Sequence, residues 1–207
     1  MLPLNERHLK KYCIREIMTK VGILNFGGQY NHLILRRITE LGFQGVLIDP
    51  HEDINHVEKS FDCLIISGGP WNIPQDIPRT GNAINYILEF TGPILGICLG
   101  HQLMAYAYGG ELGENSPEFG GVKVYVDDED TILKGLPKEF TAWESHNISV
   151  LKAPREFRVI AHSSRVPVEA MVWEGGLRFG VQFHPEVGHT EFGSLIMRNF
   201  LSLCGEE

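Results

Sequence analysis

The chain lacks any run of about 18 consecutive apolar residues, so no segment reads as a membrane-spanning helix. Cysteine is scarce. Cys13, Cys63, Cys98 and Cys204 are the whole set; none lies in a Cys-x-x-Cys pair, and none has the histidine spacing of a structural zinc site. Positive charge is not in excess. The 18 basic and 26 acidic side chains give a formal net charge of −8, which argues against sequence-independent binding to DNA or RNA. Neither GxxxxGK[ST] nor GxGxxG occurs, so the chain shows no nucleotide-phosphate loop of its own. Repeats and low-complexity stretches are absent as well. The first 20 residues are charged (Glu6, Arg7, Lys10, Lys11, Arg15, Glu16) and hold no apolar run like a secretion signal. Scattered free cysteines without an export signal point to the cytoplasm, with Cys63 as a core thiol and Cys13 and Cys204 structural or incidental.

What is present is ordinary globular material. The 207 residues are 43% hydrophobic and 21% charged, enough for one domain, or at most two tight ones, with a core that needs no disulfide staples. Val21 to Phe26 reads as a buried strand ending at Gly27-Gly28, and Tyr30 to Leu41 as a helix stopped by Gly42. Strands follow at Gln44–Ile48, Cys63–Ile66 and Pro93–Ile97, with helices at Asn82–Phe90 and His101–Tyr108. This alternation predicts an α/β fold: an open, mostly parallel sheet covered by helices on both faces. After Gly110 the texture changes. Val122–Val126, Val159–Ala161, Val168–Trp173 and Arg178–Phe183 read as strands between Gly and Pro turns, giving a smaller antiparallel sheet before a closing helix at Glu191–Leu203. Residues 1–17 fit no element of the sheet. They are expected to be an appendage, either from a start upstream of Met18 or as a short docked helix, with residues 18–207 as the single domain.

Gly96-Ile97-Cys98-Leu99-Gly100 stands between a predicted strand and a predicted helix, the setting of a nucleophile elbow with Cys98 as nucleophile. A strand that turns abruptly into a helix exposes its corner side chain at the carboxyl edge of the sheet, where open α/β sheets bind ligands. The helix that follows points its amino end at the sulfur, which suits a thiolate. Five residues of this kind also fit a buried cysteine in a glycine-rich strand end, so the reading depends on partners elsewhere. Phe183-His184-Pro185-Glu186 supplies two. In extended chain Glu186 lies beside His184, fixing the ring while its other nitrogen takes the thiol proton. Ser67-Gly68-Gly69-Pro70 supplies uncovered backbone amides that can hold an oxyanion together with the Leu99 amide. Its continuation, Trp71-Asn72, lacks the Asp and Ser of an ATP-pyrophosphatase loop.

With these residues in view, the chain resembles the class I glutamine amidotransferases. Gly96-Ile97-Cys98-Leu99-Gly100-His101-Gln102 is similar to that family's nucleophile motif, and Val181-Gln182-Phe183-His184-Pro185-Glu186 to its His/Glu motif. Within the family the resemblance is closest to the amidotransferase of GMP synthetase. That narrower likeness rests on Asn25 to Tyr30 with Arg36-Arg37, on Ser67 to Pro70, and on Glu186 to Gly193 leading into Asn199-Phe200. The resemblance implies that Cys98 attacks the side-chain amide of glutamine, that His184 moves the protons and that Glu186 orients His184. It implies an oxyanion hole from the Gly69 and Leu99 amides, and glutamine binding by Gly68, Gln102, Ser145 and His146. It also implies no metal or cofactor on this chain, with ATP and Mg²⁺ on a separate ATP-pyrophosphatase subunit that turns XMP into GMP. The family loop often reads Ser-His-x-Asp, whereas here Ile148 stands at the acid's place.

Other conspicuous residues have plainer readings. His101 is expected to pack or cap. His189 faces either a partner or solvent. Trp71, Trp143 and Trp173 read as core or pocket-wall aromatics. Asp127 to Asp130 reads as a solvated acidic turn. Besides the amidotransferase, a stand-alone cysteine hydrolase of γ-glutamyl compounds and a non-catalytic glutamine-binding regulator fit parts of the pattern.

Overall fold

The computed structural model describes residues 19–114, 117–129 and 131–205; the expected appendage at 1–17, Cys13 and Asp130 lie outside the described residues. In chain order the elements begin with β1 (Lys20–Leu24), α1 (Asn31–Glu40), β2 (Gln44–Ile48), α2 (Ile54–Ser60), β3 (Cys63–Ile66), α3 (Ala83–Glu89), β4 (Ile94–Ile97) and α4 (Leu99–Ala107). They continue with β5 (Glu111–Gly113), β6 (Glu118–Val126), β7 (Glu139–His146), β8 (Ser149–Lys152), β9 (Phe157–Ser163), β10 (Ala170–Trp173), β11 (Arg178–Val181) and α5 (Gly193–Leu201). Nine strands form one sheet in the order β2-β1-β3-β4-β11-β10-β9-β6-β7, while β5 and β8 pair separately.

The sheet changes character at β11. That strand runs parallel to β4 and antiparallel to β10. On one side β2, β1, β3 and β4 are all parallel. On the other, β10, β9, β6 and β7 are antiparallel, so the antiparallel strands of the second half continue the main sheet. The core lies on both faces. Cys63 and Ile65 of β3 pack with Ile34 and Ile38 of α1 and Ile196, Met197 and Phe200 of α5. Leu64 and Ile66 face the other way, against Val57, Tyr86, Ile87, Leu103 and Met104 of α2, α3 and α4. Alternate side chains of one strand thus feed two cores, which is why β3 reads as a continuous apolar run.

Two expectations are corrected. Cys63 and Cys204 are not free thiols: they are joined in a disulfide with their Cα atoms 5.6 Å apart, leaving Cys98 as the free cysteine among the described residues. Nothing in the local sequence announces this bond, because it depends on the closing helix returning to β3. It also removes the cysteine argument for a cytoplasmic location. The second correction adds β7, a strand absent from the expected set. Its inward positions are Phe140, Ala142, Glu144 and His146, and the two polar residues hide the alternation. Among the described residues no helix is long and apolar enough to cross a membrane.

The disulfide spans 141 residues, and closing a loop of that length in the unfolded chain is worth about 5 kcal/mol at most. Reduction should therefore lower the melting temperature by roughly 10–20 °C. Cys204→Ala should show the same loss and become insensitive to reductant. A melting curve indifferent to reductant would mean that the two sulfurs are not bonded.

Candidate active site

The carboxyl ends of β1, β3, β4 and β11 converge on one cavity of about 390 Å³, lined by Gly28, Tyr30, Gly68, Gly69, Cys98, Leu99, Gln102, Ser145, His146, Ile148, His184 and Glu186 among others. Every site residue expected from the sequence lines it.

Cys98 occupies the corner between β4 and α4 with φ 52° and ψ −102°, a positive φ that is rare for a residue with a Cβ. Two glycines make the corner possible. A Cβ on Gly96 would meet the Gly100 carbonyl at 2.5 Å, and one on Gly100 would run into the Ile66 carbonyl oxygen of β3. The Cys98 amide donates to Val181 O at 2.8 Å, tying the corner to β11. Leu99 is the first residue of α4, so its amide has no acceptor within the helix and is available to an oxyanion. Gly68 keeps space for the ring: a Cβ there would lie 3.1 Å from His184 Cε1 and press on it, and 3.7 Å from Cys98 Cβ.

His184 and Glu186 meet as expected, with Nδ1 2.8 Å from Glu186 Oε1, but a turn brings them together rather than extended chain. Val187 N donates to His184 O at 3.3 Å, closing the turn over Pro185. The ring is held from several sides. His184 N donates to Trp143 O of β7 at 3.0 Å, and Thr190 Oγ1 donates to His184 O at 2.6 Å. The edge of Tyr30 meets the ring at 4.8 Å between centroids, and Tyr30 in turn accepts from Trp143 Nε1 at 3.1 Å. Burial opposes charge on His184, but Glu186, together with the Cys98 sulfur in hydrogen-bonding contact, outweighs it and holds the imidazole well above its ordinary 6.5. Its surroundings thus favour the protonated ring beside the sulfur.

Gln182, to which the His/Glu motif assigned no role, lies against Cys98. It is fully buried, and its Nε2 reaches Cys98 Sγ at 3.8 Å. Its Oε1 accepts from Gln102 Nε2 at 3.4 Å, and Gln102 Nε2 is anchored on Ile148 O at 2.6 Å. Gln102 therefore spends its amide hydrogens on the protein and builds the wall. Ile148, standing where an acid was expected, contributes its backbone oxygen to that anchor. The Cys98 thiol also lies 3.9 Å from Ser145 O.

The plainer residues fall as read. His101 is buried and neutral: burial pulls its pKa down to about 3, and Nε2 sits 3.1 Å from Val168 O, away from the cavity. Trp71 forms part of the cavity wall and packs edge-on to Phe26. Trp173 packs beside Tyr108, outside the cavity. His189 is exposed and stacks on Trp143. In the acidic turn, Asp127 pairs with His162, Asp128 with Arg158 and Glu129 with Lys138. Phe119, 67% exposed at the cavity's edge, is unmarked in the sequence, since β6 offers no cue that one of its aromatics faces water.

A sequence model of the family described as glutamine amidotransferase class-I matches residues 22–204. The chain belongs to this family. It is 47% identical to a Sulfurisphaera tokodaii protein named as one subunit of glutamine-hydrolyzing GMP synthase, over 89% of this chain and 98% of that protein. It is 48% identical to the protein of the same name from Saccharolobus solfataricus, with the same coverage. Among solved structures, a Thermoplasma acidophilum protein provisionally named as the corresponding GMP synthase subunit superposes with a TM-score of 0.85 at 36% identity, covering 90% of this chain and 94% of that one. A Thermotoga maritima glutamine amidotransferase, 20% identical with a TM-score of 0.73, shares the fold and covers 89% of this chain and 81% of that one.

Two substitutions test the amidotransferase site. Glu186→Gln removes the largest influence raising the His184 pKa, so in a histidine NMR titration the His184 signal should lose its proton at lower pH than in the unsubstituted chain. An unchanged midpoint would contradict the pairing. Gln182→Leu deletes a donor to the sulfur and should slow inactivation of Cys98 by a diazo-ketone glutamine analogue roughly tenfold. An unaffected rate would remove Gln182 from the machinery.

Proposed function

We propose that the chain is the glutaminase subunit of a two-subunit, glutamine-hydrolysing GMP synthase. The observation that carries this reading is the Cys98–His184–Glu186 constellation, opening on a small cavity, in a chain with no nucleotide-phosphate loop. Relatives of nearly the same length, named as one subunit of that enzyme, support it.

Cys98 Sγ attacks the side-chain amide carbon of glutamine, and the carbonyl oxygen gathers negative charge facing the Gly69 and Leu99 amides. As the tetrahedral intermediate collapses, the carbon–nitrogen bond breaks and the His184 imidazolium gives its proton to the leaving nitrogen, releasing ammonia. A γ-glutamyl thioester remains on Cys98. The neutral imidazole then takes a proton from water, whose oxygen attacks the thioester carbon. Glutamate leaves, and the sulfur and imidazolium are restored. Glu186, hydrogen-bonded to Nδ1, stabilises the imidazolium. Main-chain groups of Ser145, His146 and Gly68 hold the α-amino and α-carboxylate groups of glutamine, with Gln102 setting the wall they share. None of these steps needs a metal or cofactor on this chain; ATP and Mg²⁺ act on the partner, which aminates XMP.

The partner docks over the cavity mouth, where Phe119 and Trp71 give apolar surface and the ammonia emerges. The net charge of −8 suits a basic partner, so assembly weakens with salt. The compartment is the cytoplasm, where XMP and ATP are at hand.

Mixing the chain with a cognate ATP-pyrophosphatase subunit, XMP, ATP, Mg²⁺ and glutamine should yield GMP. Cys98→Ala should abolish that activity and leave the reaction with free ammonia intact. No GMP from glutamine, with ammonia shown to support the partner, would overturn the assignment. Strong hydrolysis by the isolated chain, indifferent to the partner, would favour a stand-alone hydrolase.

A further inference from the structure

Beside the cavity, and sharing His146 with its wall, lies a group of buried polar side chains. Glu118 of β6 and His146 of β7 are direct cross-strand partners, and Glu144 precedes His146 by two residues, so all three leave the same face of the sheet. They point inward: their side chains are 3%, 1% and 0% exposed for Glu118, His146 and Glu144. His146 Nε2 lies 3.3 Å from Glu144 Oε2 and 3.6 Å from Glu118 Oε2. Yet neither ring nitrogen has a hydrogen-bond partner, and neither do Glu118 Oε2 or the two oxygens of Glu144. The ion pairs of Glu118 and Glu144 among the described residues go to this imidazole and not to a lysine or arginine. Buried polar atoms left without well-formed hydrogen bonds are costly, so the group calls for something to fill it.

The spacing says what. Donor and acceptor in a hydrogen bond sit about 2.7–3.2 Å apart. Ligands at about 2.0–2.2 Å from a shared tetrahedral ion sit about 3.3–3.6 Å from one another. One ligand atom from each of the three residues lies within 4.8 Å of the others. An imidazole with two carboxylates is a donor set for a first-row divalent ion rather than for Ca²⁺ or Mg²⁺.

We propose that Glu118, Glu144 and His146 bind a divalent transition-metal ion, with zinc as the ion that fits the donor set and spacing. This departs from the expectation of a chain without metal. The sequence hides the site because its ligands come from two strands joined only by register. The ion is structural. It joins the start of β6 to the end of β7, beside the Asn147-Ile148 turn that lines the glutamine cavity, and so fixes that turn. Glu169, also buried, lies against Glu144 and closes the group on that side.

The test uses the Cys98→Ala chain, so that the catalytic thiol cannot capture the ion, and its outcome does not depend on the GMP synthase reading. After treatment with chelator and dialysis, the chain is titrated with Zn²⁺ against a chromophoric chelator. One ion per chain is expected, and Glu118→Gln and Glu144→Gln should each weaken binding by at least roughly tenfold. No stoichiometric binding, or binding that both substitutions leave unchanged, would overturn the site. Since a glutamine in this interior can unfold the strand, zinc X-ray absorption on the chain with its cluster intact is the second measurement. One imidazole among oxygen ligands is expected; sulfur or several imidazoles would place the ion elsewhere.

Discussion

The structure depends on one tight corner. Cys98 is held at positive φ between β4 and α4, a conformation that costs of order 1–3 kcal/mol and persists only because its surroundings leave no alternative. Gly96 and Gly100 let the corner close, and Gly100 lets α4 press onto β3. The same crowding that strains the backbone lifts the sulfur to the carboxyl edge of the sheet. The strain is supported by the fully buried strands β3, β4 and β11, whose cores lie on both faces.

The two halves of the sheet have different tasks around this corner. The parallel half supplies the sulfur and the glycine loops, as the carboxyl ends of β1, β3 and β4 meet there. The antiparallel half supplies restraint. β7 holds His184 through the Trp143 carbonyl, and the β7–β8 loop supplies the Ile148 oxygen that anchors Gln102. Burial opposes charge on His184, while Glu186 and the sulfur beside it favour charge and raise its pKa. The buried group Glu118, Glu144 and His146 lies on β6 and β7, next to the turn that lines the cavity.

Much of this was legible in the sequence, for physical reasons that differ by element. The parallel strands were readable because burial on both faces makes them unbroken apolar runs. The nucleophile and the His/Glu pair were readable because glycine and proline mark backbone that few residues can adopt. β7 was not, since it buries Glu144 and His146 where an apolar residue would have shown the alternation. The Cys63–Cys204 bond was invisible because its partners meet only after the last helix packs. Gln182 stood within a visible motif, but its contact with Cys98 depends on β11 lying beside β4, a pairing no local pattern reveals. The His184–Glu186 contact was expected for a reason that proved wrong, as a turn and not a strand brings them together.

The central claim is that Cys98, and no other group, carries the γ-glutamyl intermediate. The most direct measurement is mass spectrometry of the chain quenched in acid during glutamine turnover. The account predicts a γ-glutamyl adduct on the peptide containing Cys98, lost on treatment with hydroxylamine. Turnover without any adduct on that peptide, or with the adduct on another residue, would contradict it.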